Sequence, residues 1–121
     1  MKLLIVDDST IIRQFIQKIV TAASLDIEIV GEAGDGERAL KAFDELQPDI
    51  VTMDITMPNM DGLTCMRTML KRVPTTKVIV VTALHSTETQ LKALEQGAVA
   101  FLNKPVQTEQ LKEVFEDLLS K

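Results

Sequence analysis

Short unbroken apolar runs alternate along the chain with longer stretches in which apolar residues recur every three or four positions. Leu3 to Val6 is the first run, and Lys2 to Val6 reads as a strand. From Thr10 onward, Ile11, Ile12, Phe15, Ile16, Ile19 and Val20 form a stripe at helical spacing, with Ser9 or Thr10 available as N-cap. Ile27, Ile29 and Gly31 alternate with Glu28, Val30 and Glu32, the pattern of a half-exposed edge strand. A helix opens near Asp35 and ends at Pro48. Ile50 to Met53 is a second buried run, in a strand ending at Asp54. The loop ITMPNMDG leads from it into a helix with Leu63, Met66, Leu70 and Val73 on one side. Val78 to Val81 is the third run, in a strand ending at Thr82. The spacing then predicts a helix over Thr87 to Gln96, stopped by Gly97 as a left-handed C-cap. A short strand over 99–103 follows. The last helix, Gln107 to Leu119, carries Leu111, Val114, Phe115 and Leu118 on one face.

Strands and helices in strict alternation predict a parallel sheet covered on both sides. The three continuous runs belong in its centre, and the strands near 27–32 and 99–102 at its edges. That is strand order 2-1-3-4-5: an α/β, flavodoxin-like, doubly wound five-stranded parallel sheet with five helices.

Composition narrows the setting. A chain of 121 residues is one ordinary domain, 1–121, large enough to bury a core without disulfides, and Cys65 is alone. There is no apolar run long enough to span a bilayer and no signal-peptide pattern, so a cytoplasmic protein without membrane insertion is expected. The net charge of −5 argues against a nucleic-acid surface, which needs clustered Lys and Arg.

In such sheets ligands bind beyond the carboxyl ends of the strands, where the strand order reverses. The residues delivered to that rim are Asp7 and Asp8 from the first strand, Asp54 from the third, Thr82 from the fourth and Lys104 from the end of the fifth. Each alone has a plain structural explanation: an Asp after a strand is commonly a cap or turn residue. Together they form a constellation of the kind found at functional sites. Two carboxylates about 5 Å apart repel by roughly 3 kcal/mol at an effective dielectric near 20. An oxygen-only set of acids calls for a hard divalent cation, Mg²⁺ before Zn²⁺, and a third carboxylate beside it can receive a phosphoryl group.

LLIVDDS, Asp54 within VTMDITMPNMDG, VVTA around Thr82 and FLNKPV around Lys104 resemble the receiver domain of bacterial two-component response regulators, over essentially the whole chain. The resemblance implies that Asp54 is the phosphoacceptor, supplied by a histidine kinase, another phosphohistidine donor such as a phosphotransfer protein, or a small acyl phosphate. It implies that Asp8, Asp54 and the backbone carbonyl of Thr56 hold Mg²⁺, with Asp7 helping through water and Mn²⁺ as a substitute. Lys104, Thr82 and the backbone amides of Thr56 and Ala83 would bind the phosphoryl oxygens. Thr82 and Phe101 would form the switch, the ring moving inward on phosphorylation. X–Pro bonds are mostly trans, yet the resemblance implies a cis Lys104–Pro105 bond.

The resemblance also implies a stand-alone, CheY-like signalling protein rather than an enzyme turning over external substrates. Its downstream partner would dock on the fourth helix, fifth strand and fifth helix, near Phe101 and Asn103. Chemotaxis or motor output is the first expectation; a phosphorelay intermediate or phosphate sink is the alternative. Two rivals use the same fold. An FMN protein needs a hydroxyl-rich phosphate loop where Asp7 and Asp8 stand, and aromatic rings that this chain, with no Trp or Tyr, lacks. A Mg²⁺-dependent phosphatase wants a second acid two residues after the nucleophile, where Thr56 sits. His85 reads as a solvated loop residue, Cys65 as small core, and Met57, Met60, Met66 and Met69 as packing. Val106 stands where receivers often carry a bulkier aromatic, and Thr56 and Leu84 occupy positions that tune dephosphorylation.

Overall fold

Strands and helices alternate throughout the computed structural model, which describes residues 1–120. They are β1 (Lys2–Val6), α1 (Thr10–Ala22), β2 (Glu28–Ala33), α2 (Gly36–Leu46), β3 (Ile50–Met53), α3 (Gly62–Arg72), β4 (Lys77–Thr82), α4 (Thr87–Glu95), β5 (Ala100–Asn103) and α5 (Thr108–Leu119). Lys121, the end of the span expected to form one domain, lies outside the described residues. All neighbouring strands pair in parallel, in the order β2-β1-β3-β4-β5. This is the predicted topology. Among the described residues no helix is long and apolar enough to cross a membrane.

Alternation along the strands divides the core in two. Leu4, Val6, Val51, Met53, Val78 and Val80 face α2, α3 and α4, where Phe43, Met66 and Met69 fill the space. Leu3, Ile5, Ile50, Ile79 and Val81 face α1 and α5, against Ile16, Ile19, Leu111 and Phe115. β1, β3 and β4 are buried on both faces because helices cover both sides, which is why they read as near-continuous apolar runs, with Thr52 the polar exception in β3.

Four helices carry an N-cap whose side chain accepts a backbone N–H: Ser9 from Ile12, Asp35 from Arg38, Asp61 from Thr64 and Ser86 from Thr89. Of the two candidates for α1, Ser9 is therefore the cap. Gln47 closes α2 in the left-handed region just before Pro48; α4 ends at Glu95 with Gln96 as its C-cap, and Gly97 (φ +113) takes the left-handed position after that cap.

Three expectations are corrected. β2 is not a simple alternation: Leu3 pairs with Ile29 but Leu4 with Gly31, so a bulge at Val30 re-phases the strand. One extra residue moves everything after it to the other face. Ile27 and Ile29 therefore pack toward α1 and α5, whereas Ala33 joins the opposite core. On α1 the buried stripe is narrower than its sequence, since Ile11 is 75% exposed and Phe15 40%. Ile16, Ile19 and Val20 already cover the sheet there. On α3 the buried side chains are Cys65, Met66 and Met69; Leu63 and Leu70 are only partly covered and Val73 is exposed. Gly62 lies directly against the Asp54–Ile55 backbone, so the positions three, four and seven residues on, Cys65, Met66 and Met69, take the buried face.

Candidate functional site: an acidic rim with one lysine

β1 and β3 lie side by side, and the backbone ladder runs one residue past each. The Asp7 N–H donates to the Ala33 carbonyl at 3.0 Å and the Asp54 N–H to the Val6 carbonyl at 3.0 Å. Asp7 and Asp54 are thereby held as neighbours at the carboxyl end of the sheet. β1 has ended at Val6, so Asp7 and Asp8 are freed from strand alternation. One carboxylate oxygen from each of Asp7, Asp8 and Asp54 lies within 4.8 Å of the others. Asp7 and Asp54 are only 1% and 2% exposed, whereas Asp8 opens to solvent.

Lys104 reaches into this cluster from the end of β5. Its Nζ lies 2.8 Å from Asp7 Oδ2 and 3.2 Å from Asp54 Oδ2. Burial raises the Asp7 carboxyl above its ordinary range; the hydrogen bond and charge of Lys104 and the Ser9 N–H pull it part of the way back. Burial by itself would lower the Lys104 ammonium, but the hydrogen bond and charge of Asp7, with Asp54 behind them, leave it raised. One cation facing three acids leaves the rim acid-rich, and its donors are all oxygen. That set fits a hard divalent cation held by Asp7, Asp8 and Asp54.

The loop after β3 is built to present Asp54. Thr56 N–H donates to Asp54 Oδ1 at 3.1 Å and the Thr56 hydroxyl to the same oxygen at 3.3 Å. The loop then folds back, with the Gly62 N–H on the Ile55 carbonyl at 2.8 Å. A Cβ at Gly62 would stand 2.0 Å from the Asp54 carbonyl oxygen, so only glycine permits this return. Asp61 caps α3, and the Thr64 N–H it accepts, together with the Thr64 hydroxyl, holds its carboxyl below the usual range.

Thr82 is fully buried at the end of β4; its hydroxyl accepts the Leu84 N–H at 3.2 Å. Ala83 is exposed and next in sequence. Phe101 is half-buried against the α2–α4 side of the core. The Lys104–Pro105 peptide bond is cis. Thus Asp7, Asp8, Asp54 and Lys104 come together at one rim with Thr56 in contact; Thr82 stands at the end of the adjoining strand, and Phe101 lies in the edge strand beyond it.

The remaining candidates fall outside the rim. His85 is exposed in the loop before α4. Cys65 is buried, its thiol pushed up to about 12 chiefly by burial. Met66 and Met69 are fully buried, Met57 and Met60 pack at the core's margin, and Val106 is buried on the α1–α5 side.

Sequence reasoning missed Arg13. Its guanidinium donates to the Asp7 carbonyl and to Thr10 Oγ1 and pairs with Glu32 at 3.0 Å, bracing the loop that carries the acids. The available signal was its place less than two turns into the helix that follows them.

The sequence matches the response regulator receiver domain family over residues 3–116. It is 42% identical over 116 residues to chemotaxis protein CheY of Listeria monocytogenes, covering 96% of each chain. It is 41% identical over 106 residues to chemotaxis protein CheY of Thermotoga maritima, covering 88% of this chain and 87% of that one. Among solved structures, a chain of the CheX–CheY–BeF3–Mg complex from Borrelia burgdorferi superposes with a TM-score of 0.93 at 32% identity, covering 100% of this chain and 90% of that one.

Proposed function

The chain belongs to the response regulator receiver family, and from that membership we propose that it is a CheY-like phosphoacceptor switch in which Asp54 carries the phosphoryl group. An Asp54 oxygen attacks the phosphorus of a phosphohistidine on a histidine kinase or phosphotransfer protein, or of a small acyl phosphate. The bond from phosphorus to the donor breaks, and its electron pair leaves with the donor. Residues 1–121 act as one such domain. The chain is a protein of the cytoplasm and makes one stoichiometric transfer rather than turning over an external substrate.

The observation that carries this reading is the environment of Asp54. Its carboxylate is buried at a strand end, one oxygen held by Thr56, the other against Lys104, with two further acids alongside. Asp8, Asp54 and the Thr56 carbonyl would hold Mg²⁺ (or Mn²⁺ in its place), with Asp7 assisting. The ion would supply charge neutralisation for the transferring group. Lys104 meets a phosphoryl oxygen with a full positive charge, and the Thr56 and Ala83 amides and the Thr82 hydroxyl supply further donors. A phosphoryl group acts by finding such donors. As Thr82 turns toward it, Phe101 moves inward, altering the α4–β5–α5 face where a downstream partner docks. Chemotaxis is the favoured output.

Intact-mass measurement after acetyl phosphate and Mg²⁺ tests the proposal. One phosphoryl group is expected on the wild type, none on Asp54→Ala, and none after chelation. An unmodified, well-folded wild type, or a gain that survives in Asp54→Ala, overturns it.

A further inference from the structure

We propose that Asn103 is a positioning residue that latches the β4–α4 loop in its resting place and so sets how readily Thr82 turns to the phosphoryl group. This rests on the reading of Asp54 as phosphoacceptor. Among the described residues, Asn103 makes no hydrogen bond or ion pair with Asp54 or another acid of the rim; its side chain bonds the Leu84 carbonyl.

Thr82 and Asn103 are register partners on β4 and β5. Both of their side chains hold Leu84, the second residue of the loop beyond β4. Thr82 Oγ accepts the Leu84 N–H at 3.2 Å, and Asn103 Nδ2 donates to the Leu84 carbonyl at 2.7 Å. The Thr82 carbonyl in turn accepts the Lys104 N–H at 2.8 Å. The dipeptide Asn103–Lys104 therefore grips the loop with one side chain and the Asp54 carboxylate with the next.

The element this loop leads into is thinly anchored. Ala93 is the buried residue of α4, while Leu91 is 56% and Leu94 41% exposed. With so little apolar burial holding α4, the polar contacts at Leu84 decide where the loop rests.

Engaging a phosphoryl oxygen draws the Thr82 hydroxyl away from the Leu84 N–H. The loop is then free on its N–H side but still held by its carbonyl. The Asn103 amide opposes the shift, and its strength sets the population of the shifted loop before phosphorylation. An alanine there removes the donor and leaves the carbonyl to water, so the latch opens without disturbing a core side chain.

Two readouts on Asn103→Ala test this. In the unphosphorylated, metal-free protein, hydrogen exchange at the Leu84 amide should quicken about fivefold, the factor that accompanies one neutral hydrogen bond. The initial rate of phosphorylation by acetyl phosphate should rise by a similar factor, with Mg²⁺ affinity unchanged. A residue that merely held the fold together would lower Tm and slow phosphorylation instead. Unchanged exchange overturns the latch, and so does quicker exchange with an unchanged or slower rate. Asn103→Asp, which also lacks the donor, serves if the alanine variant does not fold. If wild-type Asp54 takes no phosphoryl group, the parent reading fails, and the exchange arm alone decides whether Asn103 holds the loop.

Discussion

Asp7 is the residue on which the electrostatic strain of the rim concentrates. Burial raises its carboxyl more than Lys104 and the Ser9 N–H lower it, so its folded-state pKa lies above its unfolded value. The sign follows from linkage: the protonated form favours the fold, so this contribution is complete below the ordinary value of 3.8 and is lost as pH rises through the raised one. In metal-free protein, Asp7 should therefore act to lower the urea midpoint as pH climbs above 3.8. Asp7→Asn should flatten that fall, raise the midpoint at neutral pH and weaken Mg²⁺ binding in calorimetry. Lys104 has the same sign at far higher pH: its raised ammonium supports the fold fully below 10.5, and that support goes only as pH rises beyond it.

One layer beneath Asp54 on the same strand, Thr52 is 1% exposed and its hydroxyl has no protein partner among the described residues. Replacing it with the isosteric valine removes a buried, unpartnered polar group. Thr52→Val should raise stability by about 1 kcal/mol in urea denaturation. The rim acids and Lys104 were legible in the sequence because each ends a recognisable strand, and strand ends are where the topology gathers side chains. The unpartnered Thr52 hydroxyl and the hold of Asn103 on Leu84 were not, because they depend on distances between strands that no local pattern encodes. Arg13 was hidden for a related reason: its three partners, Asp7, Thr10 and Glu32, come from a strand end, its own helix and the neighbouring strand.

At the scale of elements, caps and periods made the order of strands and helices readable, while faces and phases were harder. Asp61 stands at the join between the loop of the site and α3. Its carboxylate accepts both the Thr64 N–H and the Thr64 hydroxyl, each at 2.9 Å. Asp61→Ala should cost about 1 kcal/mol, read from chemical denaturation. Because the Thr64 N–H lowers the Asp61 pKa, the wild-type contribution is present above 3.8 and lost as pH falls below it, so the difference between the two proteins should shrink in acid. The bulge in β2 defeated period counting because a single extra residue reverses the alternation on which that counting depends. The α1 stripe was over-read because apolar character at Ile11 and Phe15 does not oblige burial once three other side chains fill the same floor.

At the scale of the whole molecule, the sheet stands as a wall between two apolar chambers, one roofed by α2, α3 and α4 and the other by α1 and α5. Met66 fills the first and Phe115 the second, and neither cluster contains a residue of the other. Injuries made on opposite sides of such a wall have no shared neighbours through which to compound. Met66→Ala should cost about 3 kcal/mol and Phe115→Leu about 1.5 kcal/mol. A thermodynamic cycle on the double variant should return their sum to within about 0.5 kcal/mol. A larger discrepancy would mean that the wall bends, and that each chamber feels the other's vacancies.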